Sequence, residues 1–437
     1  MTTYWCERAW LGARGFVDSV VVEVDGTRIT QVSEGPAPPG AERLVGLTLP
    51  GFANSHSHAF HRAVRGRTER QRGDFWTWRE TMYGVAERLD PDTYYALALA
   101  TYREMALAGI TAVGEFHYLH HGEGGEPYDD LNVMAHVLIA AAREAGLRIA
   151  LLDTCYLAAG FGKRPEGVQR RFSDGTVDAW QDRVTALWRA SDSPDVVIGA
   201  AIHSVRAVPH LDFGTVASAL PQAPLHVHLS EQVAENTACL ERHGSTPTQL
   251  LAVHGVLSER LTAVHATHLS GGDVALLGNA RCNACFCPTT ERDLADGIGP
   301  SRQLAEAGVA LTLGTDSHAE IDMHEEMRAV ELDERLHSQR RGHWRADELL
   351  AAATVAGHRS LGFPAAGRIE AGGWADLVTV TADSPRTAGT GRDAETVVFA
   401  AAAADVVSVI ASGRRIALDR RGVGRALSES ISAVMAR

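Results

Sequence analysis

Short apolar runs recur along this chain, and they stop at polar residues of a restricted kind. Residues 49–58 end on His56 and His58. Residues 113–118 carry Glu115, His117 and Tyr118, and residues 198–206 carry His203 and Arg206. Residues 225–231 carry His226, His228 and Glu231, residues 261–265 end on His265, and residues 311–316 end on Asp316. Between these runs lie stretches with the spacing of amphipathic helices, at 91–108, 131–146, 175–190, 245–254 and 346–361. Strands that alternate with helices predict a parallel sheet. Polar residues at the C-terminal ends of many such strands are the arrangement by which a (β/α)8 barrel builds an active site.

The two ends of the chain follow a different pattern. Residues 20–24 and 28–32 alternate as strands around Asp25-Gly26, a hairpin turn pair, and residues 35–40 form a Gly/Pro loop. Residues 367–369, 375–380 and 406–410 also read as strands, with Ser412-Gly413 as a turn. The expected fold is therefore α/β: a distorted (β/α)8 TIM barrel over residues 49–361. Residues 1–48 and 362–437 are expected to join into a small β-sandwich domain beside it.

Composition narrows the function. With 437 residues and 45% hydrophobic content, the chain can bury a large core. It has no uncharged apolar run of about 18 residues, so no membrane span is expected. No basic-then-apolar leader opens it, which points to the cytoplasm. The net charge of −13 argues against nucleic acid as a partner. It still permits a small anionic substrate, because local arginines can outweigh a distant negative surface. Among the six cysteines, Cys282, Cys285 and Cys287 invite a zinc reading, but no second pair sits at finger-like spacing. They are read as packing residues in a strand-like run.

Residues two apart on a strand share a face, so His56 and His58 can reach one ion. With His228 and Asp316 they supply nitrogen and carboxylate ligands from three strand ends. A catalytic zinc site takes three or more protein ligands and keeps a position for water. The expected cofactor is one divalent ion per chain, zinc, although the donors also suit iron(II). Glu231 lies one turn past His228 and suits a proton shuttle, with His265 and Asp316 to orient and deprotonate the water. His226, on the same strand, is read as a core histidine.

This order resembles the amidohydrolase superfamily over nearly the whole chain. Many members bind two metals bridged by a carboxylated lysine at strand four. The only lysine here is Lys163, in a loop-like segment, so the resemblance implies the mononuclear deaminase branch. Within that branch the chain is similar to the formimidoylglutamate deiminases of histidine degradation. The segments carrying that likeness are His56-Ser57-His58-Ala59-Phe60, Phe75-Trp76-Thr77-Trp78-Arg79-Glu80, Glu115-Phe116-His117-Tyr118, His203-Ser204-Val205-Arg206 and residues 290–298. The resemblance implies that Arg79, Tyr118 and Arg206 bind the glutamate carboxylates and that His203 holds the substrate near the metal. Arginine forks suit such carboxylates. His61 stands where the family usually has glutamine, and it is counted with the substrate-binding residues. The Arg292-Asp293 pair also departs from the family. The implied reaction is hydrolysis of N-formimidoyl-L-glutamate to N-formyl-L-glutamate and ammonia by a homodimer. The alternatives are another mononuclear deaminase or chlorohydrolase acting on a purine, pyrimidine or triazine, or a metal-binding protein without catalysis. Paired arginines speak against a heterocycle, and the presence of Glu231 speaks against a non-catalytic protein.

Overall fold

The computed structural model describes residues 1–68 and 75–436, with Phe75 described by its backbone alone. Four strands come first: β1 (Thr2–Trp10), β2 (Phe16–Asp25), β3 (Arg28–Glu34) and β4 (Glu42–Pro50). The barrel strands follow: β5 (Phe52–Ser57), β6 (Ile110–His117), β7 (Arg148–Cys155), β8 (Val196–Ser204), β9 (Leu225–Leu229), β10 (Leu261–His265), β11 (Asn283–Phe286) and β12 (Ala310–Leu313). The chain closes with β13 (Leu377–Val380), β14 (Val406–Ala411) and the short β15 (Arg414–Arg415).

Strands β5 to β12 form one eight-stranded sheet in sequential order, and every pair within it is parallel. Helices cover its outside. This explains why β5, β6 and β7 are buried at every residue: a parallel sheet packed on both faces reads as a continuous apolar run. The first and last strands meet at their C-terminal ends. The Asp316 N–H donates to the His56 carbonyl at 3.0 Å, and the His58 N–H donates to the Asp316 carbonyl at 3.2 Å. Gly314 makes this seam possible, because a Cβ there would lie 2.8 Å from His56 backbone atoms.

The expected helices are present as Pro91–Leu107, Val133–Ala145, Val177–Ala190 and Pro247–Val253. The first has an Asp90–Thr93 capping box with Pro91 at its start. The stretch 346–361 is a helical rod with a π turn at Ala352–Ala356.

The terminal segments build a seven-stranded mixed sheet, ordered β15-β14-β13-β4-β1-β2-β3. Residues 367–369, expected as a strand, are not one. Gly367 has φ +79°, and a Cβ there would lie 2.7 Å from the Val355 nitrogen, so the chain turns tightly against the rod instead. A buried ion pair ties the sheet to the barrel. Arg148 at the start of β7 pairs both terminal nitrogens with the Asp376 carboxylate just before β13. The Ser412 N–H also donates to Asp376, at 2.8 Å, and the guanidinium lies over Trp374, 4.5 Å from the ring centre. The closing helix Arg420–Met435 packs Val423 and Leu427 on Ala100 and Leu107 of the barrel's outer layer. All six cysteines are free and buried. No described helix is long and apolar enough to cross a membrane.

Candidate active site

The C-terminal strand ends converge on one spot. His56 and His58 leave β5, His228 sits on β9, and Asp316 lies three residues past β12. Their ligand atoms all lie within 4.8 Å of one another, and all four residues are buried. Asp316 Oδ1 is 3.3 Å from the Nε2 of both His56 and His58. The Nε2 atoms of His56 and His228 approach to 3.1 Å. Two rings have fixed tautomers. His58 Nδ1 faces the Phe116 carbonyl and His228 Nδ1 faces the His203 carbonyl, each at 2.9 Å. A carbonyl can only accept, so both Nδ1 atoms carry the proton and both Nε2 lone pairs point inward, as in metal-bound histidines. Burial holds all three imidazoles below their usual pKa, and therefore neutral. Burial opposes ionisation of Asp316, but the hydrogen bond from His56 and the charge of His265 hold its carboxyl well below the usual range. Three neutral imidazoles and one carboxylate that converge their lone pairs fit a divalent cation of the zinc type.

A second group lies against this set. His265 Nε2 is 3.8 Å from Asp316 Oδ2 and 4.0 Å from Glu231 Oε1, and its Nδ1 is 3.3 Å from Glu291 Oε1. Burial disfavours a charged ring, yet Glu231, the Glu291 hydrogen bond and Asp316 together raise His265 well above its usual pKa. The backbone here is strained. Ser230, His265, Ala266, Asp316 and His318 all have positive φ, between 40° and 65°. Each costs roughly 1–2 kcal/mol for a residue with a side chain, and local hydrogen bonds hold the turns, such as His268 N–H to the Ser230 carbonyl at 3.0 Å.

A cavity opens above the donors. It takes in His58, His228 and Asp316 from the donor set, with Glu231 and His265. Its outer wall holds His61, Arg79, Tyr118, His203 and Arg206. His56 is fully buried beneath it. Of the residues expected at the site, all are brought to this one place. Arg79, on the helix Phe75–Arg88, lies over the rings of Trp76 and Tyr83, 4.3 and 5.4 Å from their centres. His61 Nε2 is 2.8 Å from the Tyr118 hydroxyl, and burial holds its ring down at about 3, so it is neutral. His226 is buried on β9 outside the donor set. Arg292 is turned away and pairs with Glu325 and Asp333, while Leu294 from the same loop lines the cavity.

Several participants were not foreseen from the sequence. Glu291 anchors His265, and Cys287 stands beside both within ligand distance. Tyr156 and Phe172 extend the aromatic wall. Glu235 lies behind Arg206, with Oε2 3.3 Å from its Nε, and accepts the Ser230 N–H at 3.1 Å. The only signal for Glu235 in the sequence is its place one helical turn past Glu231. Its partner arrives from another strand.

Residues 47–416 match the amidohydrolase family. The chain belongs to that family. It is 35% identical to a formimidoylglutamate deiminase of Pseudomonas aeruginosa, over 97% of this chain and 96% of the relative. It is 28% identical to a 5-methylthioadenosine/S-adenosylhomocysteine deaminase of Halobacterium salinarum, over 92% and 88% of the two chains. Among solved structures, an amidohydrolase from Brucella melitensis superposes with a TM-score of 0.89 at 31% identity and covers both chains fully.

Proposed function

We propose that this amidohydrolase hydrolyses N-formimidoyl-L-glutamate to N-formyl-L-glutamate and ammonia, with one zinc ion held by His56, His58, His228 and Asp316. The observation that carries the reading is the pair of guanidiniums, Arg79 and Arg206, in the same cavity as the metal donors. A dicarboxylate with a reactive amidine at its other end matches a cavity with two cationic forks on one side and water chemistry on the other. The likeness to the Pseudomonas deiminase supports the same substrate.

In this reading Arg79, Arg206 and Tyr118 grip the carboxylates, and His203 stands where the amidine approaches the donors. Bound there, a divalent cation supplies Lewis-acid activation of water. Water adds to the formimidoyl carbon, and Glu231 takes its proton and passes it to the terminal nitrogen. The hydroxyl proton of the resulting adduct follows by the same carboxylate to that nitrogen as the carbon–nitrogen bond breaks, so ammonia leaves and the formyl oxygen remains. Burial raises the Glu231 carboxyl, which helps it hold a proton between these two steps. His265 stays charged beside Asp316 and Glu231 and stabilises negative charge that develops there. The aromatic wall of Trp78, Tyr118, Tyr156 and Phe172 excludes bulk water.

The test is an ammonia-release assay over formimidoylglutamate, guanine, cytosine and triazines, with metal analysis of the same sample. Preference for formimidoylglutamate is expected. Faster release from a neutral heterocycle overturns the assignment and turns attention to His61.

A further inference from the structure

Glu235 is buried and stands just outside the cavity, with neither oxygen reaching the reacting centre. Each oxygen has a separate task. Oε1 accepts the Ser230 N–H at 3.1 Å, and Oε2 faces Arg206 Nε at 3.3 Å. Ser230 immediately precedes Glu231 and has φ +53°, a conformation that needs support in a residue with a side chain. The contact to Arg206 is made at Nε and is an ion pair, not an aligned hydrogen bond. Among the described residues no other carboxylate pairs with it, so its two terminal nitrogens are left for a ligand. The other flank of the same turn is also held: the Gln232 side chain donates to the buried Asp296 carboxyl.

We propose that Glu235 is a positioning residue that couples the turn carrying Glu231 to the orientation of Arg206. One carboxylate fixes both the proton-transfer group and the cation that grips the substrate. It sets the distance between the two ends of the bound molecule. This rests on Arg206 being a substrate contact, as the proposed function has it. Burial pushes the Glu235 carboxyl up to about 7, against the pull of Arg206, so a neutral amide at this position is a mild replacement for it.

The experiment is a double-mutant cycle on the metal-loaded enzyme with Glu235→Gln and Arg206→Met. Glutamine keeps an acceptor for Ser230 but cannot pair with the guanidinium. Expected for Glu235→Gln is a KM for formimidoylglutamate raised at least tenfold, kcat lowered less than threefold and unchanged metal content. A simple N-alkylformamidine without carboxylates should lose less than threefold in kcat/KM. In the Arg206→Met background, Glu235→Gln should add less than twofold, because its partner is gone. Equal losses on both substrates, or losses that multiply in the double variant, overturn the proposal. Should Glu235→Gln fail to fold, Glu235→Asp serves instead. It keeps the charge but withdraws it from Arg206, and the same cycle applies. The wild-type substrate preference is read separately. If a neutral heterocycle is preferred, the substrate assignment falls, and the cycle on that heterocycle still decides whether positions 235 and 206 are coupled.

Discussion

Glu231 sits among opposing influences: burial raises its carboxyl, the charged His265 lowers it, Asp316 raises it, Arg206 lowers it and Glu291 raises it again, with the net direction upward. A group balanced this way changes protonation readily, and that is the demand on a shuttle. Glu231→Gln is expected to keep the metal but lower turnover by about 10² or more, the usual scale for a positioned acid–base group. Near-normal turnover with full metal content removes Glu231 from the mechanism. Arg206→Met is expected to cost about 2–5 kcal/mol in kcat/KM for a carboxylate substrate, the range for truncating one member of a charge pair. A carboxylate-free amidine should lose far less, and equal losses would make Arg206 structural. The convergence of His56 and His58 was legible at this scale because a strand repeats every two residues, so the two had to share a face. Glu291 and Glu235 were not legible. Each acts on a residue from a different strand, and one-dimensional spacing carries no trace of that contact.

Strands and helices were read well where the pattern was clear, as in Pro91–Leu107 and in β5, β6, β8, β9 and β10, whereas β7, which follows closely on the helix Val133–Ala145, was missed. The failures have local causes. Gly367 turns because no side chain fits against Val355, and neighbouring β-formers could not reveal it. The closing helix Arg420–Met435 went unread among strand-like segments. Between elements, the Arg148–Asp376 pair is the clearest target. Burial would raise the Asp376 carboxyl, but Arg148 holds it below the usual range. A depressed carboxyl contributes stability above its unfolded pKa of about 3.9 and loses it as pH falls toward the folded value. Asp376→Asn leaves Arg148 buried without its countercharge and is expected to destabilise by about 3–5 kcal/mol at neutral pH. The deficit should shrink as pH is lowered below about 4. Thermal unfolding of both proteins between pH 3 and pH 7 checks this, and a deficit independent of pH would refute the linkage.

At the scale of the whole molecule, the proposed metal donors come from the first, fifth and eighth barrel strands. An ion bound by all of them stabilises the folded state over the unfolded one by mass action. Elemental analysis is expected to find one equivalent per chain, and removal by a chelator should lower the melting temperature and be reversed by zinc. A second occupied position about 3.5–4 Å from the first would contradict the mononuclear site. A melting temperature indifferent to the metal would detach the donors from the fold. The seam between β5 and β12 has a further consequence, which concerns time. Its hydrogen bonds join His56 and His58 to Asp316, residues far apart along the chain. Contacts of such long loop closure form late in folding. The catalytic centre is therefore expected to be among the last regions to assemble. During synthesis, the seam and its contacts to Asp316 cannot form until Asp316 has left the ribosome. Pulse-labelled hydrogen exchange during refolding should show the amides of His58 and Asp316 becoming protected after those of β6, β7 and β8. Early protection at the seam would mean that the barrel closes first and fills in afterwards.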